Sequence, residues 1–169
     1  MSLQEQTPLV SIIALNFNQT TVTCEFLEST KKLTYRNFET ILVDNGSSVD
    51  PTAQIEAGNY PNLRLILSPV NLGFTGGNNL GIEHAKGDFV FIVNNDTEVT
   101  PDLLEQLLQP FYEDGTIGVV CPKIRFYSHP NVIQYAGFNK MNLLTGRTWA
   151  VGSKEEDKGQ HDVSGPTWC

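Results

Sequence analysis

A chain of 169 residues is long enough for one domain with a sizeable core, and 40% hydrophobic with 18% charged residues places it among ordinary globular proteins. A formal net charge of −8, with no run of lysine or arginine, argues against a nucleic-acid or anionic-membrane surface. No apolar stretch approaches the roughly 20 residues that cross a bilayer, and the polar start "MSLQEQTP" lacks the basic and apolar regions of a secretory signal. Cys24, Cys121 and Cys169 are odd in number and lack metal-ligand spacing, which fits reduced thiols filling a core.

Residues 9–15, "LVSIIAL", predict a first strand, and after "NFNQT" the spacing of Val22, Phe26, Leu27 and Leu33 predicts a helix. "FETILVD" predicts a second strand ending at Asp44, "NGSS" a turn, and Asp50-Pro51 an N-cap followed by a proline at the first position of a short helix. Residues 63–68, "LRLILS", predict a third strand, and "GFTGGNNLGIEHAKG" contains a third helix stopped by Gly87. In "GDFVFIVNNDTEV" the apolar run Phe89 to Val93 predicts a fourth strand buried on both faces. Thr100-Pro101 caps a helix with the stripe Leu103, Leu104, Leu107, Leu108 and Phe111, and "IGVVCPKIRF" reads as a fifth strand. Strands alternating with helices imply βαβ units, right-handed crossovers and a mainly parallel sheet, hence an α/β fold.

After Tyr127 the rhythm fails. "SHPNVIQYAGFNKMNLLTGRTWAVG" suggests short strands or a hairpin, and "SKEEDKGQHD" a charged, glycine-broken loop; the region after Tyr127 is expected to be loosely held, "VGSKEEDKGQHD" most of all. The expected organisation is a single domain: a leader over 1–8, an α/β core over 9–127, and the incomplete start of a further region over 128–169, with the C-terminal part cut short.

Open parallel sheets bind ligands outside the carboxyl ends of their strands, and here polar side chains follow each strand: Asn16 and Asn18, then Asp44, then Asn71, then Asn94 to Asp96. Asp96, in a turn beyond an apolar strand, suits Mg²⁺ or Mn²⁺, which use one or two protein carboxylates together with substrate phosphates. The alternative for Asp96, Asn94 and Asp44 is turn capping. "NLGFTGGNN", residues 71–79, is a glycine-rich loop opening a helix, where backbone N–H groups approach phosphates. It is neither GxGxxG nor a P-loop, against a dinucleotide fold and an NTPase. His84, His129 and His161 are scattered without ligand spacing, and no nucleophile elbow is present.

The segments "VSIIALNFN", "ILVDNGSS", "NLGFTGGNNLGIEHAKGDFVFIVNNDTEVTPDLLEQL" and "VSGPTWC" together resemble the nucleotide-sugar-binding half of glycosyltransferase family 2, a family of inverting GT-A-fold enzymes, and most of all its bacterial rhamnosyltransferase-like members. The resemblance implies that Leu15, Asn16 and Phe17 lie against base and ribose, that Asp44 hydrogen-bonds base or ribose, and that Asn71, Gly73, Gly76, Gly77 and Asn78 border ribose and diphosphate. "NND" takes the place of the family's DxD motif, with Asp96 as the metal-binding aspartate and the neutral amide of Asn94 replacing the first carboxylate.

The implied reaction transfers a sugar from a UDP- or dTDP-linked donor, rhamnose among the candidates, to a saccharide or lipid-linked saccharide acceptor in cell-surface polysaccharide synthesis. The setting it implies is the cytoplasm, or the inner membrane face in a longer parent protein. The family's catalytic base lies in an Asp/Glu motif beyond the position of Cys169, so this stretch alone is expected to be inactive; Asp157 and Asp162 are the last acidic residues before it. Two other readings stay open: a non-catalytic nucleotide- or partner-binding module of the same fold, and a nucleotidyltransferase. The oligomeric state is not legible.

Overall fold

A computed structural model of the chain describes residues 7–167, so most of the expected leader, and Cys169, lie outside it. The chain divides into two compact units, Met1–Leu104 and Glu105–Cys169.

The first unit alternates β1 (Val10–Asn16), α1 (Thr20–Thr30), β2 (Phe38–Asp44), α2 (Thr52–Ala57), β3 (Leu63–Leu67), α3 (Gly73–Glu83) and β4 (Phe89–Ile92). The four strands form one parallel sheet in the order β3-β2-β1-β4, as the alternation predicts. The central strands β1 and β2 are built from β-branched and aliphatic residues that suit a sheet covered on both sides: Ile12, Ile13, Ala14, Ile41, Leu42 and Val43 are each at most 1% exposed. Ile13, Ile41 and Val43 form one cluster, on which Leu80 of α3, Leu15 and Ile66 pack. α2 starts at Thr52, one residue later than expected, with Pro51 as its N-cap. Asp50 Oδ1 accepts the Thr52 N–H at 2.8 Å and Pro51 C=O accepts the Ile55 N–H at 3.0 Å, so the proline sits where a missing N–H breaks no intrahelical bond.

Two expectations for this unit are corrected. β4 is not buried on both faces: it pairs with β1 alone in this sheet, Phe89 and Phe91 are half-buried, and Val90 and Ile92 are 43% and 47% exposed. An edge strand alternates its burial even where its sequence is apolar throughout. α3 stops at Glu83, four residues before Gly87, in a tightened last turn where the Gly81 and Ile82 carbonyls accept the His84 and Ala85 N–H groups. Gly87 serves instead at the entry to β4, donating its N–H to Ser11 Oγ at 2.9 Å.

α4 (Leu103–Glu113) crosses the division between the units, with Leu104 and Leu108 of its stripe buried. The second unit then holds β5 (Ile124–Phe126) and β6 (His129–Tyr135), an antiparallel pair in place of the long fifth strand expected over 117–126. Pro122 removes a ladder donor in the middle of that segment, and Val119 is exposed. After Tyr127, where short strands or a hairpin are expected, β6 is followed by the antiparallel bridges Phe138↔Ala150 and Asn142↔Arg147. The charged loop runs beside β6. Lys154 N–H donates to Ile133 C=O at 2.8 Å, Ile133 N–H to Glu155 C=O at 2.9 Å and Asp157 N–H to Asn131 C=O at 2.7 Å, strapping it along β6. Cys24 is half-buried, but Cys121 is exposed and fills no core. Among the described residues no helix is long and apolar enough to cross a membrane.

Gly46, just past β2, has φ +79°, and a Cβ there would lie 2.6 Å from the Val70 carbonyl carbon and 2.7 Å from the Asn71 nitrogen. Strain and backbone collision therefore add. Gly46→Ala is expected to lower unfolding free energy by about 2–4 kcal/mol, whereas Gly115→Ala, which meets nothing within 4 Å, changes it by no more than about 0.5 kcal/mol. Urea unfolding of both variants checks the contrast; equal midpoints would contradict the packing described.

Candidate functional site

Parallel pairing brings all four carboxyl-terminal strand ends to one edge of the sheet, and the order β3-β2-β1-β4 reverses direction between β1 and β4. A crevice opens at such a reversal. Asn16 and Asp44 are register partners at the ends of β1 and β2, 0% and 4% exposed. Asn16 Nδ2 donates to Asp44 Oδ1 at 2.7 Å, where Ser47 Oγ also donates at 2.5 Å, and the Ser47 N–H donates to Asp44 Oδ2 at 3.0 Å. Three donors thus hold a carboxylate that would be costly to bury alone.

Asn45, next in sequence, is buried and organises the glycine-rich loop. Its Oδ1 accepts the Leu72 N–H at 2.9 Å, and its Nδ2 donates to Gly73 C=O at 3.1 Å and Asn71 Oδ1 at 3.2 Å. Asn71 Oδ1 also accepts the Gly73 N–H at 2.8 Å, and Gly73 takes the left-handed φ of +70° that turns the chain into α3. Apart from the Gly73 N–H held by Asn71, no side-chain cap bonds the opening of α3 and its first turn carries no acidic residue, which leaves a partly positive helix end. Gly77 lets that turn approach β1: a Cβ there would lie 3.0 Å from Leu15 Cδ1, and one at Gly76 would lie 2.9 Å from Leu72 Cβ. Asn78 is buried, its Nδ2 on Phe74 C=O at 2.9 Å.

Past β4, Asn94 is exposed, and half-buried Asn95 donates Nδ2 to Thr23 Oγ1 at 2.9 Å. Asp96 is exposed in the turn that follows, and among the described residues no hydrogen bond or ion pair engages its carboxylate. The loop is stapled farther on, by Val99 N–H to Ser29 Oγ at 3.1 Å and Thr34 N–H to Pro101 C=O at 2.8 Å.

A cleft of about 360 Å³ lies at these strand ends. Leu15, Phe17 and Gln19 line it from β1, Asn45 from β2, Asn71, Gly73 and Phe74 from the start of α3, and Val93, Asn94 and Asn95 from β4. It brings together the sequence-predicted Leu15, Phe17, Asn71, Gly73 and Asn94; Asn16, Asp44, Gly76, Gly77, Asn78 and Asp96 are not among its lining residues. Sequence reasoning passed over Asn45, which reads as an ordinary turn residue in "NGSS". It also passed over Phe74, whose signal is an apolar ring amid glycines and amides, 66% exposed. Among the described residues no three His, Cys, Asp or Glu side chains converge as a metal-binding group. An oxygen set of one open carboxylate with neighbouring amides still fits a hard divalent cation that completes its shell with water and phosphate oxygens.

Asp157 and Asp162 lie in the second unit, and Lys123 Nζ binds both, Asp157 Oδ2 at 2.9 Å. The Lys123 hydrogen bond holds the Asp157 carboxyl below the usual carboxylate range, which makes it a weaker proton acceptor.

The parallel sheet with its strand-end cleft is the GT-A type of nucleotide-sugar-binding fold. A mannosyltransferase from Pyrobaculum calidifontis, PcManGT, solved in complex with GDP-Man and Mn²⁺, superposes with a TM-score of 0.64 at 23% identity, over 71% of this chain and 37% of that one. The chain belongs to glycosyl transferase family 2, whose family description matches residues 11–164. It is 31% identical over 117 residues to the putative glycosyltransferase EpsH of Bacillus subtilis, covering 69% of this chain and 34% of the relative. It is 28% identical over 174 aligned residues to the N-acetylglucosaminyl-diphospho-decaprenol L-rhamnosyltransferase of Mycobacterium tuberculosis, covering 96% of this chain and 52% of the relative. The chain therefore spans about a third to about half of the length of these curated relatives.

Asn45→Ala removes three hydrogen bonds that shape residues 71–73. It is expected to cost about 1–3 kcal/mol of stability and to raise hydrogen exchange at the Leu72 amide selectively. An unchanged Leu72 exchange rate would contradict the anchoring role.

Proposed function

We propose that the cleft binds a nucleoside-diphosphate sugar and that the chain is the donor-binding part of an inverting glycosyltransferase. The observation that carries this reading is the convergence of apolar Leu15, Phe17 and Phe74 with amides and the open N-terminus of α3 in one crevice at the sheet's reversal point. Phe17 and Leu15 offer an apolar surface for the base, Asp44 and Asn16, buried and outside the lining, form the polar floor that holds these strand ends, and the Asn71–Asn78 segment receives the diphosphate on partial positive charge. Mg²⁺ or Mn²⁺ held by Asp96, with Asn94 beside it, would neutralise charge on the leaving diphosphate; PcManGT, of the same fold, was solved with Mn²⁺.

The donor base is uracil or thymine and the sugar a hexose, with rhamnose supported by the name of the mycobacterial relative. That name also supports a lipid-linked saccharide acceptor. Residues 128–169 begin the acceptor side, and neither Asp157 nor Asp162 is assigned as the base that takes the acceptor proton.

Calorimetry with UDP, dTDP and GDP tests the site. A pyrimidine nucleoside diphosphate with Mn²⁺ is expected to bind the folded chain, Asp96→Asn to remove the metal-dependent part without unfolding, and Asn94→Asp to keep or strengthen it. No binding at millimolar concentration, or unchanged metal dependence in Asp96→Asn, would refute the assignment. The 169-residue chain is also expected to transfer no sugar at a rate near that of a longer parent protein, since a positioned base contributes about 10²–10⁴-fold. Comparable turnover would place the base within these residues.

A further inference from the structure

A continuous line of side-chain hydrogen bonds crosses the first unit. Asn95 Nδ2 donates to Thr23 Oγ1 at 2.9 Å, Thr23 Oγ1 donates to Asn16 Oδ1 at 2.7 Å, and Asn16 Nδ2 donates to Asp44 Oδ1 at 2.7 Å. The line connects the turn carrying Asp96 to the carboxylate at the end of β2, and Thr23 is its midpoint. Thr23 sits on α1, outside every strand-end loop and outside the cleft lining, and it is 0% exposed.

The chemistry of one hydroxyl makes this midpoint specific. An O–H has a single proton to give, and two acceptors compete for it: Asn16 Oδ1 at 2.7 Å and the Gln19 carbonyl at 3.2 Å. The shorter bond goes to Asn16, which leaves the hydroxyl lone pairs for the Asn95 amide nitrogen. One of the two Asn95 N–H donors is thereby held by Thr23, which fixes the orientation of an amide that lines the cleft. The same bond fixes the Asn16 amide, so that its nitrogen and not its oxygen meets the Asp44 carboxylate; the reverse orientation would set two acceptors against each other.

We propose that Thr23 is a positioning residue for the donor site, its hydroxyl making the Asn16–Asp44 floor and the Asn94–Asp96 turn one hydrogen-bonded unit. This rests on the donor-site reading above. Ser29, two helical turns along α1, holds the far end of the loop through Val99, so α1 fixes the segment on both sides of Asp96.

Thr23→Val keeps the shape and removes the hydroxyl; Thr23→Ser restores it. In the unliganded chain, nitrogen-15 NMR of the Asn95 side-chain amide should show faster solvent exchange in Thr23→Val and near-normal exchange in Thr23→Ser. With UDP or dTDP, Thr23→Val should weaken binding in the presence of Mn²⁺ by about 10-fold and shrink the ratio of affinities with and without Mn²⁺, both recovered in Thr23→Ser. A residue that serves stability alone would lower the melting temperature and leave that ratio intact, which would overturn the proposal. An unchanged Asn95 amide in Thr23→Val would overturn it independently of any ligand. A wild-type chain that is folded and binds neither nucleotide refutes the donor-site reading itself and the positioning role with it; the Thr23 variants are then not needed to recognise that failure.

Discussion

Asn16 and Asp44 meet at 2.7 Å where two largely buried strands end side by side, and the arrangement of the strand-end loops follows from that contact. A carboxylate at the edge of an apolar sheet is tolerable only if its lone pairs are occupied. The donors available are the neighbouring strand and the turn after β2, which therefore curls back so that Ser47 can supply both its hydroxyl and its N–H. Curling back requires the left-handed φ of Gly46 and brings the chain against Val70 and Asn71. Once that turn is set, Asn45 faces the loop before α3 and fixes it with three bonds. The run Asp44, Asn45, Gly46, Ser47 thus shapes the strand-end loops around one buried carboxylate.

The strand ends were legible because each apolar run of the first unit stops at a polar residue, and parallel pairing then forces those stops to one edge. The same runs do not encode their neighbours. Phe89 to Ile92 is as apolar as Ile12 to Leu15, yet one is an edge strand and the other central, since lateral order is decided by crossover connections and not by composition. Thr23 was illegible for a different reason. A threonine on the inner face of a helix is unremarkable in sequence, and its value lies in Asn95, 72 residues away. Asn45 was hidden inside a turn motif that accounts for it locally.

Beyond Leu104 the sequence is less regular and so is the structure. "IGVVCPKIRF" has strand composition, but Pro122 interrupts it and only Ile124–Phe126 pair. The acidic stretch that reads as a solvated loop is held to β6 by backbone bonds and to Lys123 by two carboxylates, interactions between segments that no local pattern reveals. Membership of glycosyl transferase family 2 rests on nearly the whole chain, residues 11–164, while the strand-end cleft lies in the first unit.

The central claim is that a nucleoside diphosphate occupies the crevice at the ends of β1, β2 and β4. Backbone amide chemical-shift mapping of the isotope-labelled chain, titrated with UDP in the presence of Mg²⁺, addresses it most directly. The predicted result is saturable shifts at residues 15–19, 71–77 and 93–96, with the second unit quiet. Shifts confined to residues 123–167, with the strand-end loops unmoved, would contradict it.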